Sequence, residues 1–510
     1  MHQTFPIVPN GSAIAPRPTV ARWLTAAALC LSALVAQPAA ADVVGDMQRH
    51  LDALQKIADD NGGNRAAGTP GYRASVDYAV KVLKGAGYDV TRQRFEVKTF
   101  ALTRRPVVAE VRPEARRLRN GRDYIVADFS GSADVQGPVV PARGIRIPPP
   151  SDGQGLSSGC SADDFPPETR HAIALVQRGG CAFIDKIANA RRAGARAVLI
   201  FNTGRNGEKK PFSIIADEDN DLPAVFLSYA AGRDLNRSAR QRRTVVRVDI
   251  RGAVARKATW NVIADTAEGD PDRTLVVGGH LDSVPEGPGI NDNGSGTALV
   301  LAAAEDLARR GIRPRNRVRF ALWAAEEIGL LGSTHYVHSL SKRERAQIFT
   351  YLNFDMVGSP NYVRFIDRSR GNRRSEVIAT QFEAAFARRG LKSTRTDSRG
   401  LTDTASFIEA GIPTAGLFSG TDDEKTKSQQ RRYGGTAGEP YDACYHRACD
   451  TTRNISRRAL REFSGAALQV IRQMARRKPS EIFEATTADT AAAPAAPEPA
   501  LLFRGPYTLR

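Results

Sequence analysis

The sequence predicts an α/β protein, on three observations. After Trp260, strand-like apolar runs alternate with helix-like runs, the pattern of a sheet with parallel neighbours. Three of those strands, Thr274 to Val277, Val318 to Ala324 and Ile348 to Phe354, run into a metal-ligating type of residue: His280, Glu326 and Asp355. Strand C-terminal ends are where ligand sites of open α/β sheets gather. The third observation is a change of texture from about Tyr124 to Arg251, where short β-like runs are separated by Gly and Pro, as in Ile145-Arg146-Ile147-Pro148-Pro149-Pro150. That segment reads as an inserted domain.

Taken in order, residues 1–41 read as an export signal. Arg17 and Arg22 supply positive charge without acids, Trp23 to Ala36 is mostly apolar, and Ala39-Ala40-Ala41 gives small residues before Asp42. The apolar run is shorter than the roughly 20 residues that span a bilayer. Leu29 before Cys30 suits a lipid-attachment site poorly. The expected location is therefore periplasmic or extracellular, without integral membrane association. Residues 42–124 open with helices, carrying Leu51, Leu54, Ile57, Tyr78 and Val82 at helical spacing and broken at Gly62-Gly63 and Gly68-Thr69-Pro70-Gly71. A strand from Tyr88 to Val97 follows. The inserted domain, 125–252, contains a strand at Ile173 to Val176, a turn at Gly179-Gly180, a helix at Phe183 to Ala193 and a strand at Ala197 to Phe201. Residues 253–478 form the main α/β unit, and 479–510 an Ala- and Pro-rich flexible tail.

A net charge of +18 raises the question of nucleic acid. The basic residues are scattered, however, over Arg116 to Arg122, Arg309 to Arg319, Arg368 to Arg374 and Arg472 to Lys478, with no aromatic platform or helix-turn-helix pattern among them. They read as a solvated surface, and no nucleic-acid partner is expected. Beyond the signal stand Cys160, Cys181, Cys444 and Cys449. In an oxidising compartment these favour disulfides, with three possible pairings, of which Cys160 with Cys181 and Cys444 with Cys449 are the local ones. Zinc binding by Cys444 and Cys449 is the alternative, and it lacks a second pair nearby.

A hydrolytic metal pair needs imidazole, several carboxylates and a free base. His280 and Asp282 lie two apart in an extended segment, so both can face one side, with Asp282 accepting the second imidazole N–H. Asp292 lies in Gly289-Ile290-Asn291-Asp292-Asn293-Gly294, ahead of a helix near Ser295. Its two oxygens can bridge two metals, while Asn293 or Ser295 caps the helix. Glu326 and Glu327 would repel unless something positive sits between them. Adjacent residues leaving a strand diverge, so one can hold metal while the other faces a bound water. A second imidazole is also needed, and His335, His338 and His446 are the candidates. His335 and His338 share a helix face, which is ordinarily hydrated; spacing favours His446, inside the Cys444 to Cys449 loop, without excluding the others.

These residues stand in Gly279-His280-Leu281-Asp282-Ser283, Gly289-Ile290-Asn291-Asp292-Asn293-Gly294-Ser295-Gly296, Ala325-Glu326-Glu327-Ile328-Gly329-Leu330-Leu331-Gly332-Ser333, Asn353-Phe354-Asp355-Met356 and Cys444-Tyr445-His446-Arg447-Ala448-Cys449-Asp450. Together the motifs resemble the secreted two-zinc leucine aminopeptidases, over residues 45–110 and 255–475. Residues 125–250, with Gln177-Arg178-Gly179-Gly180-Cys181 and Ala193-Gly194-Ala195, resemble the protease-associated domain inserted in such enzymes. The resemblance implies a three-layer α/β/α zinc exopeptidase domain with a mixed, mostly parallel sheet, plus a β-rich protease-associated domain. It implies two zinc ions, with His280 and Asp355 on one, Glu327 and His446 on the other, and Asp292 bridging. Glu326 would be the general base, Asp282 the partner of His280, and Tyr445 a donor to the developing oxyanion. Met356 and Phe418 match positions lining the pocket for the first residue.

The expectation is thus a metallo-aminopeptidase, monomeric, that removes large apolar N-terminal residues from peptides or proteins. A carboxypeptidase or a glutaminyl cyclase-like enzyme of the same fold is the alternative within catalysis. A non-catalytic peptide-binding protein is the alternative outside it, disfavoured because no implied ligand or base is missing. Two departures stand out. Arg457, Arg458 and Arg461 occupy the C-terminal helix where some relatives carry calcium-binding acids, so no calcium is expected. Thr402-Asp403 replaces the family's Ser-Asp pair.

Overall fold

A computed structural model describes residues 42–150, 155–205, 208–241, 243–397 and 402–484; the expected signal segment and residues 485–510 of the tail lie outside the described residues. Helices α1 (Val43–Asp60) and α2 (Pro70–Gly85) open the described chain. Asp42 caps the first by accepting from the Gly45 N–H at 3.0 Å, and Met47, Leu51, Leu54 and Ala58 form its buried stripe. Thr69 caps the second, with Pro70 in the first turn. Strand β1 (Asp89–Leu102) follows.

Next come β2 (Val107–Arg112), β3 (Arg116–Arg117), β4 (Tyr124–Val126), β5 (Ala133–Pro141) and β6 (Ile173–Gln177). Helix α3 (Phe183–Arg192), β7 (Ala197–Phe201), β8 (Ala224–Leu227), α4 (Tyr229–Gln241) and β9 (Val245–Ile250) complete that stretch. The chain then returns through β10 (Gly252–Asp265), β11 (Asp270–His280), α5 (Gly294–Arg309) and β12 (Asn316–Trp323). Helices α6 (Leu331–Ser339) and α7 (Lys342–Gln347) precede β13 (Ile348–Phe354) and β14 (Phe365–Arg368). Then follow α8 (Arg373–Ala387), β15 (Thr394–Thr396), α9 (Ala405–Glu409) and β16 (Thr414–Phe418), and finally α10 (Lys427–Tyr433), α11 (Arg457–Arg476) and α12 (Pro479–Phe483).

The first sheet has the order β1-β10-β12-β11-β13-β16-β14-β15. Its middle, β12, β11, β13 and β16, is parallel, and the antiparallel pairs lie toward the two sides. Strand alternation sorts the core into two layers. Leu275 and Val277 join the large apolar cluster with α1, α2, α5, α8 and α11, whereas Val276, Ala321 and Trp323 face Tyr336 and Val337 of α6 and Phe407 of α9. Because both faces are covered, the central strands read as continuous apolar runs, which is why they were legible.

The second sheet, β3-β2-β9-β5-β6-β7-β8-β4, has a parallel centre of β5 to β8, with separate apolar clusters on its two sides. Its first strand begins at Val107, ahead of the 125 read from the texture change, because β2 pairs with β9 from Val107 opposite Asp249. The crossing is governed by β1 and β10, which form one antiparallel ladder from Asp89 opposite Asp265 to Leu102 opposite Gly252. The insert therefore leaves and re-enters the main unit at neighbouring positions. Lys98 of β1 also meets Glu218 and Asp219 of the insert, at 3.1 and 2.9 Å. The local cysteine pairings are present: Cys160 with Cys181, and Cys444 with Cys449.

One close approach holds β13 against β16. A Cβ on Gly416 would lie 2.0 Å from the Asn353 carbonyl oxygen, so only glycine lets the two strands meet there. Gly416→Ala is expected to destabilise the protein by about 1–3 kcal/mol, as overpacking does. Urea unfolding measures it, and an unchanged midpoint and slope would contradict the packing described.

Candidate metal centre

The sequence-identified groups arrive on adjacent strand ends. His280 closes β11, opposite Trp323 of β12, and Gly278 pairs with Asn353 of β13. Two residues beyond Trp323 the chain passes through Ala325, at φ 58°, into Glu326 and Glu327. Asp355 follows β13 directly. Asp292 sits just ahead of α5, whose cap is Asn293, accepting from the Gly296 N–H at 2.9 Å. The same Asn293 oxygen accepts from the Met356 N–H at 3.0 Å, tying the Asp292 loop to the segment after Asp355. His446 comes from the disulfide-closed loop, also at positive φ.

These groups converge within a few ångströms. His280 Nε2 is 3.3 Å from Asp292 Oδ1 and 3.3 Å from Asp355 Oδ1. His446 Nε2 is 2.9 Å from Asp292 Oδ2 and 3.2 Å from Glu327 Oε2. Asp292 thus presents one oxygen to each imidazole. Glu326 Oε2 stands farther off, 3.9 Å from His280 Nε2. Ligand atoms of His280, Asp292 and Glu327, and of His280, Glu326 and Asp355, form two sets each within 4.8 Å. The other imidazoles lie elsewhere: His335 stacks on Phe95 at 4.6 Å, and His338 is on the exposed end of α6.

A layer of buried polar groups orients these residues. His280 Nδ1 lies 3.2 Å from the Asp282 main-chain carbonyl and 3.6 Å from its carboxylate, which accepts the backbone N–H groups of Glu326 and Glu327 at 3.2 and 3.3 Å. Asp282 therefore joins the imidazole to both glutamates, a second connection that sequence spacing did not show. Asp450 accepts the N–H groups of Asn291 and Asp292, at 2.9 and 3.0 Å, and Asn291 donates to Asp442 at 2.6 Å. Neither aspartate was singled out; the only cue was Asp450's place directly after Cys449. Thr402 donates to Asp355 Oδ2 at 2.8 Å, and Asp403 is wholly buried beside it.

Tyr445 stacks on His446 with ring centroids 3.8 Å apart. It also packs against a small cluster containing Met356, Phe365, Phe418 and Tyr441. A recess beside Asp355 is lined by Asn353, Asp367, Thr396, Thr402, Leu417 and Phe418. Phe418 thus borders the space next to the candidate ligands. Met356 is buried in the same cluster as Phe418 and is not among the recess's described lining residues.

Electrostatics mark the centre as built for positive charge. Burial drives the Glu326 carboxyl well above its usual range, with His280 opposing and Asp355, Glu327 and Asp403 adding repulsion. Burial likewise pushes Glu327 up to about 7, against the pull of His446. Asp292 is held low despite its burial, by His280 and His446. Burial disfavours charge on His446, yet Glu327 and Asp292 outweigh it and raise the ring to about 10. Glu327 Oε1 is buried without a hydrogen-bond partner among the described residues. Two imidazoles, shared carboxylates and an unsatisfied ligand oxygen fit bound zinc.

Because Glu327 and His446 are raised to about 7 and about 10, metal binding there would displace protons from them. Raised pKa values mean that apparent zinc affinity rises with pH between 6 and 8. Zinc titration of metal-free protein in weak buffer should acidify the solution; uptake without proton release would contradict the electrostatic picture.

Comparison with known proteins identifies the family. The family model described as Peptidase family M28 matches residues 261–471, and the PA domain model matches 135–235. An aminopeptidase of Pseudomonas aeruginosa is 41% identical over 429 residues, covering 82% of this chain and 78% of that protein. A probable lipoprotein aminopeptidase of Mycobacterium tuberculosis is 38% identical, covering 81% of each. Among solved structures, an aminopeptidase from Aneurinibacillus sp. strain AM-1 superposes with a TM-score of 0.67 at 24% identity, over 85% of this chain and 94% of that one. The chain belongs to peptidase family M28, alongside the aminopeptidases it resembles over four fifths of its length, and carries an inserted PA domain.

Proposed function

We propose that the chain is an exported, monomeric, two-zinc aminopeptidase that removes large apolar N-terminal residues from peptides and proteins. The observation that carries this reading is the split of the Asp292 carboxylate between His280 and His446, each imidazole having a further carboxylate of its own. His280 and Asp355 would hold one ion, His446 and Glu327 the other, and Asp292 both. When bound, the ions supply Lewis acidity toward a substrate carbonyl and an attacking water.

The remaining work falls to the chain's own groups. Glu326 lies beside the candidate ligands and, in this reading, ligates neither ion, so its carboxylate is placed to take the water proton and return it to the leaving amine. Positive charge at the centre would counter the burial, and the carboxylate repulsion added to it, that raise the Glu326 carboxyl. Asp282 holds both the His280 ring and the peptide that carries the two glutamates. The Tyr445 hydroxyl is proposed as donor to the oxyanion. The surplus of buried carboxylate also suits a substrate's free ammonium, which favours aminopeptidase over carboxypeptidase action. Leu417 and Phe418 give the adjacent recess its apolar surface, while Asp367, Thr396 and Thr402 make part of it polar. Two disulfides suit an oxidising compartment, and among the described residues no helix is long and apolar enough to cross a membrane.

Glu326→Gln is expected to keep its zinc content while kcat falls by about 10²–10⁴. Full turnover in that variant would remove Glu326 as the base. A leucine anilide should be cleaved and its N-acetylated form left intact; cleavage of the blocked substrate alone would refute aminopeptidase action.

A further inference from the structure

Arg65, in the link between α1 and α2, is completely buried, yet its guanidinium hydrogen bonds run to carbonyls and not to carboxylates. Nη1 donates to Leu281 O, Nε to Pro288 O at 2.9 Å and Nη2 to Gly289 O at 2.7 Å. Its backbone N–H donates to Ser283 Oγ at 2.9 Å, and Ser283 Oγ lies 3.0 Å from the carbonyl oxygens of both Val284 and Gly287. The segment so gripped, residues 281–289, makes up most of the connection from His280 to Asp292. One planar fork therefore fastens its first residue and its last two. The same segment carries Val284, which is buried in the inserted domain's apolar cluster with Phe129, Ile214 and Leu222.

Burying a guanidinium without an ion pair is costly, so a general fold buttress would ordinarily use an apolar side chain. Here the cation lies where the charges of Asp282, Asp450 and Asp292 all act on it. It adds fixed positive charge behind a carboxylate-rich site and is bonded to the chain that joins two candidate ligands.

We propose that Arg65 is a positioning residue of the metal centre, bracing the His280–Asp292 connection so that both ions are held at the correct spacing. The proposal rests on the two-zinc reading. Arg65→Lys keeps the charge but replaces a fork with a single ammonium that cannot reach three carbonyls in plane. Zinc affinity, measured by competition with a chromogenic chelator, should fall about 10–100-fold, the usual range for groups that orient ligands. With saturating zinc, kcat should fall at least about tenfold with little change in KM, since Arg65 is not among the residues lining the recess beside Asp355. Thermal unfolding of the metal-free protein supplies the control. Wild-type zinc affinity and kcat in a variant with a lowered melting temperature would overturn the proposal and leave Arg65 a fold element only. Should Arg65→Lys not fold, Ser283→Ala, which removes the hydroxyl that accepts the Arg65 N–H and lies against the Val284 and Gly287 carbonyls while sparing the guanidinium, should weaken zinc binding in the same direction; unchanged affinity there would overturn it equally. A wild-type protein that binds no zinc pair would instead defeat the proposed function.

Discussion

Holding many carboxylates out of water within a few ångströms of one another is the constraint on which this structure turns. Asp282, Asp292, Glu326, Glu327, Asp355 and Asp403 are all buried at one sheet edge, with His280 and His446 the nearest counter-charges. Burial, with repulsion from neighbouring carboxylates added to it, displaces Glu326, Glu327 and Asp403 upward. Such an arrangement is stable only if backbone donors, neighbouring hydroxyls and bound cations share the burden. The Asp282 and Asp450 carboxylates each receive two backbone N–H groups, and Asp355 receives Thr402, so the support is distributed among strands that are far apart in sequence.

That distribution explains the strand order. Parallel neighbours β12, β11 and β13 bring three chain segments to one edge with their ends level, and the loops beyond them supply the reactive groups. The inserted domain does not interrupt this edge, because the β1 and β10 ladder lets the chain leave and return at Leu102 and Gly252. Yet the domain touches the centre's surroundings through Val284, which gives it a mechanical connection to the loop between His280 and Asp292.

Much of this was legible in the sequence, for physical reasons particular to each element. Strands buried on both faces stand out as apolar runs, so β11, β12 and β13 and the groups that follow them could be read directly. The cysteines paired locally, as short loops favour. The start of the second sheet was not legible, because β2 and the two-residue β3 are short, arginine-flanked and identified by their partner β9 some 135 residues later. His446 could not be chosen by spacing alone; it depended on the family resemblance, and the structure brings it to Asp292 while leaving His335 and His338 on α6. Arg65 was invisible because a single arginine in a basic chain looks like surface, and only its carbonyl partners distinguish it. The second connection of Asp282, and the places of Asp442 and Asp450, are tertiary facts with no periodic signature.

The central claim is that two metal ions share Asp292. Anomalous diffraction at the zinc edge from crystals of the zinc-loaded protein tests it most directly. The account predicts two peaks about 3.5–4 Å apart, one beside His280 and Asp355 and one beside His446 and Glu327, with an Asp292 oxygen on each. A single peak, or a pair in which Asp292 contacts only one ion, would contradict it.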